Sequence, residues 1–202
     1  MSEVAVNGVP PWVGQRPEGE QYDPELLEQG DARNVADQYR YWTVEAIRAD
    51  LDSRRDPARL MHVAIENWTH DFNIGSVVRT ANAFNAAGVH IVGKRRWNKR
   101  GAMVTDRYLH VHHHESVDAL VEWAAGIPVI GIDNIDGSIP IESFTFPRTC
   151  ILLFGQESTG LTREAQAASQ AIVHITQTGS TRSMNAGAAA AIAMYAWTTQ
   201  NA

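Results

Sequence analysis

Three stretches of this chain place glycine beside side chains that hold an oxyanion or a hydroxyl. They are Asn73-Ile74-Gly75-Ser76-Val77-Val78-Arg79, Phe154-Gly155-Gln156-Glu157-Ser158-Thr159-Gly160-Leu161-Thr162 and Gly179-Ser180-Thr181-Arg182-Ser183-Met184-Asn185. The second and third each follow a short apolar run, Cys150 to Phe154 and Ala171 to Ile175, and each precedes a helical pattern. Strand–loop–helix units with glycine where the backbone turns sharply or approaches a ligand build a small-molecule site at strand carboxyl ends. Neither GxGxxG nor GxxxxGK[ST] occurs, so the loops are neither a dinucleotide fingerprint nor a phosphate loop. A nucleotide-dependent oxidoreductase on a Rossmann sheet fails for that reason.

Taken singly, each residue has an ordinary reading. Asn73 is a good N-cap. Arg79 reads as a surface arginine paired with Glu66 or Asp71, a common and weak arrangement. Glu157 reads as a charge complementing the following helix dipole, with Thr162 as that helix's cap, and Ser183 and Asn185 read as caps of the last helix.

The elements that must position these loops alternate along the chain. Strands are expected over Met61–Ile65, Val89–Val92, Leu109–His113, Val129–Ile132, Cys150–Phe154 and Ile172–Ile175. Helices are expected over Ile74–Ala86, Ser116–Ala125, Thr162–Ser169 and Asn185–Thr198. Such alternation makes α/β with a parallel sheet and flanking helices the fold class. Before it, apolar residues at Val35, Tyr39, Trp42, Ala46 and Ala49 predict a helix over Asp31–Arg55, ended by Pro57. Residues 1–30, with four prolines, four glycines and no periodicity, read as an arm without its own core.

A length of 202 residues suits one full core. Cys150 is the sole cysteine, so no intrachain disulfide forms and a reducing compartment is expected. Met1-Ser2-Glu3-Val4 shows no leader pattern, and the longest nearly apolar run, Ala186 to Trp197, is too short to span a bilayer. The expectation is a cytoplasmic protein with no membrane partner. Net charge is −6, but the acidity is concentrated: residues 1–60 carry 12 acids and 7 bases. Lys94, Arg95, Arg96, Lys99, Arg100 and Arg107 fall in one stretch whose only acid is Asp106. That stretch is either a solvated loop or a set of phosphate contacts. His110, His112 and His114 share one strand face and His113 the other. With no cysteine near and no second ligand cluster, a half-exposed strand is the expectation, and no metal is assigned.

Together, Asn73-x-Gly75-x3-Arg79, Phe154-Gly155-Gln156-Glu157-x2-Gly160-Leu161-Thr162 and Gly179-x3-Ser183-Met184-Asn185 resemble, in order and spacing, the three signature motifs of the SPOUT superfamily. The likeness is to its TrmH (SpoU) branch of RNA ribose 2′-O-methyltransferases, covers roughly residues 60–198, and is strongest over Cys150 to Thr162. The resemblance implies a SPOUT (α/β-knot) fold with a C-terminal deep trefoil knot, a homodimer, and S-adenosyl-L-methionine as cofactor. It divides the chain into an N-terminal arm and helix over 1–57, partly disordered, and a methyltransferase domain over 58–202. It makes Arg79 the catalytic arginine, with Glu157, Ser183, Asn185 and Asn73 arranging it and the ribose. The cofactor would lie against Ile132, Phe154, Gly155, Gly160, Ile175 and Met184. The implied partner is RNA, tRNA first and rRNA as alternative; from another class, the chain would be an RNA- or cofactor-binding protein without activity, which the joint presence of Arg79, Glu157, Ser183 and Asn185 disfavours.

Three positions depart from the family pattern. Asn85 stands where Gly is usual, and Asn tolerates a left-handed cap. Asn185-Ala186-Gly187-Ala188 is smaller than usual, which would suit close packing at a dimer interface. Ile175-Thr176-Gln177-Thr178-Gly179 lacks the usual Pro. Trp68-Thr69-His70-Asp71 and the basic 94–107 stretch flank the first motif and are expected to contact RNA phosphates.

Overall fold

The computed structural model describes residues 8–67, 73–181 and 183–202, and the chain divides into two compact units, Met1–Arg54 and Arg55–Ala202. In the first, α1 (Pro24–Gln29) starts with the Asp23 carboxylate accepting from the amides of Glu25 and Leu26. The helix expected over Asp31–Arg55 is instead a 3-10 turn at Asp37–Tyr39 and α2 (Val44–Ser53). Local polar chemistry overrides the apolar stripe. The buried Asp31 carboxylate accepts from the Arg33 amide and guanidinium and from the Tyr41 amide, and Tyr41 sits at a φ of 64°. Thr43 then restarts the helix by accepting from the amide of Ala46. The stretch read as an arm thus carries a helix and buried Leu27.

The second unit holds β1 (Met61–Asn67), α3 (Ile74–Ala83), β2 (Gly88–Gly93), β3 (Val111–His114), α4 (Val117–Ala124), β4 (Val129–Ile132), β5 (Ile139–Pro140), β6 (Cys150–Phe154), α5 (Arg163–Ala168), β7 (Ala171–His174) and α6 (Ala186–Gln200). The seven strands form one parallel sheet in the order β3-β2-β1-β6-β4-β7-β5. β1, β2, β4 and β6 are buried along their whole length, as parallel strands covered on both faces must be. Alternate residues feed two cores. Val63, Ile65, Leu152 and Phe154 pack with Val77, Val78 and Ala81 of α3 and Ala193, Met194 and Trp197 of α6. Ala64, Ile151 and Leu153 pack with Leu120 of α4 and Ala165 of α5. Two-residue β5 and its following 3-10 turn escape the sequence reading because two residues carry no period. Cys150 is a buried free thiol whose pKa burial pushes up to about 12.

The histidine strand joins something larger than a half-exposed edge. His62 of β1, His90 of β2 and His114 of β3 form a chain across the sheet: His62 Nδ1 lies 3.1 Å from His90 Nε2, and His90 Nδ1 lies 2.9 Å from His114 Nε2. His112 stacks on His90 at 4.9 Å and Trp123 of α4 lies 4.2 Å from it. Each neutral imidazole donates once and accepts once, so the chain satisfies itself without charge. Burial, reinforced by the neighbouring imidazoles, lowers the pKa of His90 to about 2; burial, with His112 and Arg55 nearby, lowers that of His62 to about 4. The unfolded chain therefore binds protons below about pH 6.5 that the folded chain refuses until far lower, and stability falls as pH falls through that window. We predict a loss of roughly 1.4 kcal/mol per pH unit for each of the two histidines between about pH 6 and 4.5. Urea unfolding at pH 7.5 and 5 checks this. His90→Gln should lower stability at pH 7.5 and flatten the acid limb; an equally steep limb in that variant would place the sensitivity elsewhere.

Candidate active site

The carboxyl ends of β4, β6 and β7 open onto a cavity of about 340 Å³. Ile132, Phe154, Gly155, Gly160, Ile175 and Met184, the six positions assigned to a cofactor from the sequence, all line it, as do Glu157 and Ser183. That volume is within the range of small-molecule pockets, and the position follows the rule for open parallel sheets.

Its floor is set by missing Cβ atoms. After β6 the chain folds back on itself, with Gln156 and Gly160 exchanging backbone hydrogen bonds at 3.1 and 2.9 Å. A Cβ on Gly155 would lie 2.1 to 2.3 Å from the backbone of Gly160 and Leu161. Gly160 has a φ of 66°, and a Cβ there would lie 2.3 Å from Oδ2 of Asp133. Asp133 Oδ2 accepts from the Leu161 amide at 2.8 Å, fixing the far end of the loop. Thr162 follows: its hydroxyl and amide donate to the buried Glu66 carboxylate at 2.7 and 2.9 Å, and its Oγ1 accepts from the Ala165 amide, starting α5.

Three loops meet at Glu157. Its Oε2 accepts from Asn73 Nδ2 and, at 3.4 Å, from the Ala186 amide in the first turn of α6. Asn73 Oδ1 accepts from Asn185 Nδ2 at 2.8 Å, and Asn185 Oδ1 caps α6 by accepting from the Ala188 amide at 3.2 Å. Asn185 is thus a cap and a member of the network at once. Asn73 occupies the N-cap position of α3 but makes no side-chain cap hydrogen bond, its amide being spent across the site. The charge of Glu157 faces the amino end of α6, not that of α5 as the sequence suggested. Gly187 lets α6 come close: a Cβ there would lie 3.2 Å from Ser76 Cβ of α3, so this small residue serves a contact within the chain.

Arg79 stands apart from that network. Ile74, Val77, Val78 and Ala81 bury one face of α3, and Arg79 is exposed on another. Among the described residues its side chain makes no hydrogen bond or ion pair, and it is not part of the cavity wall. Glu66, one of its two sequence-suggested partners, is turned to Thr162; the other, Asp71, lies outside the described residues, as does the rest of Trp68-Thr69-His70-Asp71. The basic stretch packs against the same helix: Gly75 of α3 and Gly101 approach so closely that a Cβ on Gly75 would lie 2.7 Å from the amides of Gly101 and Ala102. Lys94, Arg95, Arg96, Lys99, Arg100 and Arg107 are exposed, with Lys99 bonded to Asp106 at 2.7 Å.

Sequence reasoning missed Asp133 and His174. His174 lines the cavity with Nδ1 2.9 Å from Ser138 Oγ; Ser138 donates to the Ile135 carbonyl, so it accepts from His174. Asp133 directly follows β4 and His174 is the last residue of β7, so the signal that was available is a polar residue where an apolar strand ends. Among the described residues no group of three His, Cys, Asp or Glu side chains is disposed to hold a metal.

Residues 60–195 match the family model of the SpoU rRNA Methylase family. The chain belongs to that family. It is 26% identical over 151 residues to the tRNA (guanosine(18)-2′-O)-methyltransferase of Escherichia coli strain K12, covering 72% of this chain and 65% of that protein. It is 28% identical over 188 residues to a 23S rRNA (uridine(2479)-2′-O)-methyltransferase of Streptomyces viridochromogenes, covering 85% and 64%. The crystal structure of the SpoU methyltransferase AviRb from the same organism, in complex with the cofactor AdoMet, superimposes with a TM-score of 0.65 at 28% identity, covering 75% of this chain and 64% of that one. The chain spans 54 to 65% of the length of such curated relatives.

The returning loop makes one SpoU-family glycine testable. Gly155→Ala forces a Cβ into backbone atoms that cannot swing aside, an overpacking that costs about 1–3 kcal/mol. Calorimetry should show a melting temperature lower by several degrees; an unchanged value would mean that the loop gives way.

Proposed function

We propose that this chain is an S-adenosylmethionine-dependent RNA methyltransferase acting on a ribose 2′-hydroxyl, most directly of tRNA. The observation that carries it is the Glu157–Asn73–Asn185 junction, which ties the three motif loops together at the mouth of the cavity. A flat, partly charged ligand fits the donor set: apolar Ile132, Phe154, Ile175 and Met184 for a ring and an aliphatic chain, bare backbone at Gly155 and Gly160 for close approach, and carboxylates at Asp133 and Glu157. S-adenosylmethionine, when bound, supplies an electrophilic methyl group, so the chain's residues need only position the nucleophile, stabilise developing oxyanion charge and let a proton leave. Arg79 serves the first two tasks. Its guanidinium is unengaged among the described residues and offers a planar fork to a ribose oxygen or the adjoining phosphate. It does not act as base, because guanidinium keeps its proton in proteins. Glu157 holds Asn73 and the amino end of α6 in place, and Ser183 and Asn185 complete the polar rim against which the ribose is oriented.

The same reading divides the chain into residues 1–57 and a methyltransferase domain over 58–202, knotted in its C-terminal part and paired as a homodimer. Exposed Ile192 and Tyr195 on α6 offer apolar surface for a second copy. The cations of the 94–107 stretch contact RNA phosphates. That no helix among the described residues is long and apolar enough to cross a membrane accords with a cytoplasmic enzyme. An rRNA substrate is the second reading, supported by the 28% identity to the Streptomyces rRNA enzyme.

Labelled S-adenosylmethionine, incubated with separate tRNA and rRNA pools from a strain lacking the gene, chooses between them. Label in 2′-O-methyl nucleosides of one pool is the expected result, and cofactor binding with no label in either pool would end the enzymatic reading. Arg79→Lys keeps the charge and loses the fork; we predict a fall in kcat of roughly 100-fold with cofactor affinity unchanged. Near-normal turnover would show that charge alone suffices. Reversing Arg95, Arg96 and Arg100 together should weaken RNA binding and flatten its salt dependence by about one unit of slope for each phosphate no longer neutralised; an unaltered slope would remove this loop from the RNA path.

A further inference from the structure

Between the cations of the 94–107 stretch the backbone does something costly. Met103 has φ 48°, ψ 41° and Val104 has φ 68°, ψ 3°, two successive left-handed residues, neither of them glycine. For a β-branched valine that conformation is a true outlier, costing of order 1–3 kcal/mol, and it persists only where the surroundings impose it. Here they do. The buried Thr105 hydroxyl donates to the Ala102 carbonyl at 2.6 Å, and the Arg107 amide donates to the Val104 carbonyl at 3.2 Å. Gly101 is seated against Gly75 of α3, and Asn67, at the end of β1, donates to the carbonyls of Lys94 and Arg96 at 2.6 and 3.0 Å. The held conformation turns apolar side chains outward: Met103 is 56% exposed and Val104 53%, among the most exposed large apolar residues of this unit. In the same stretch Arg95, Arg96 and Arg100 are exposed, and their side chains make no ion pair among the described residues. An exposed apolar pair within a cationic stretch repels neither a base nor a phosphate and matches a strand that carries both.

We propose that Met103 and Val104 form an apolar wedge that lies against an unstacked RNA base beside the nucleotide whose ribose is presented to Arg79. The inference rests on the RNA-methyltransferase reading above. The helix that carries Arg79 is the one that seats the loop, so wedge and arginine move as one body. Unstacking a neighbouring base exposes the sugar edge of the target nucleotide, and apolar side chains inserted at a base step unstack it.

Asparagine is at home in the left-handed region, so Met103→Asn/Val104→Asn removes the apolar surface and relieves the strain. Its melting temperature should equal or exceed that of the wild type. Filter binding to tRNA and rRNA pools from the deletion strain, at several salt concentrations, should show affinity down roughly ten-fold with the salt slope unchanged, since the surface removed is apolar. Met103→Leu should keep more affinity than Met103→Asn, and Val104→Gly should lose part of it. Undiminished affinity and methyl transfer in the double variant would overturn the wedge while leaving the RNA reading intact. Loss of self-association by the double variant, seen by sedimentation, would overturn it in favour of an interface between copies. Failure of the wild type to bind or methylate either pool would defeat the RNA reading itself, and the wedge with it.

Discussion

Side-chain oxygens stripped of water must be met by donors, and Glu66 sits fully buried at the carboxyl end of β1. Its two oxygens take the amide and the hydroxyl of Thr162. That demand ties the end of the loop after β6 to the neighbouring strand and starts α5 at the same residue, since the Thr162 hydroxyl that donates to Glu66 also accepts from Ala165. With Thr162 fixed and Phe154 fixed in the sheet, the intervening residues must return within a short span. The return is possible only because positions 155 and 160 lack a Cβ. Asp133, directly after the adjacent strand β4, then holds Leu161. The cavity is what remains between this returned loop and the ends of β4 and β7.

The second level of order is the junction at the cavity mouth. Asn73 begins α3, Asn185 begins α6 and Glu157 stands on the returned loop, so a change in any one is felt by the other two. Gly187 and Gly75 set the spacings on either side, α6 against α3 and α3 against the 100–102 turn. These contacts are short and backbone-limited, so the amino end of α3 has little freedom to slide. Arg79 inherits that rigidity five residues further on while its guanidinium remains exposed to whatever approaches. A site that must orient a hydroxyl needs that division: a fixed stem and an uncommitted head.

Much of this was legible in the sequence because its signals are local. Cys150 to Phe154 and Val129 to Ile132 are continuous apolar runs and became strands at those bounds. Asn85, read as tolerating a left-handed cap, has a φ of 49°. What was not legible is long-range and polar. Nothing near Glu66 announces that it will meet Thr162 rather than Arg79, and nothing near His62 announces His90 and His114, since each lies on a different strand and only the register brings them together. The helix expected over Asp31–Arg55 failed for a related reason: an apolar stripe cannot reveal that the Asp31 carboxylate will bind the Tyr41 amide and end the periodicity.

Asn73 shows why local rules fail first at a site. As an N-cap, an asparagine that accepted from its own helix would contribute about 1 kcal/mol to α3. Here the side chain gives that up and spans two other loops, while α3 is held by its buried face and by the close approach at Gly75. Met103 and Val104 forgo relaxed backbone in the same way, under constraint from Thr105 and Arg107. Local preference was set aside in both places where the surrounding packing was strong enough to bear it, and both places adjoin the helix that carries Arg79.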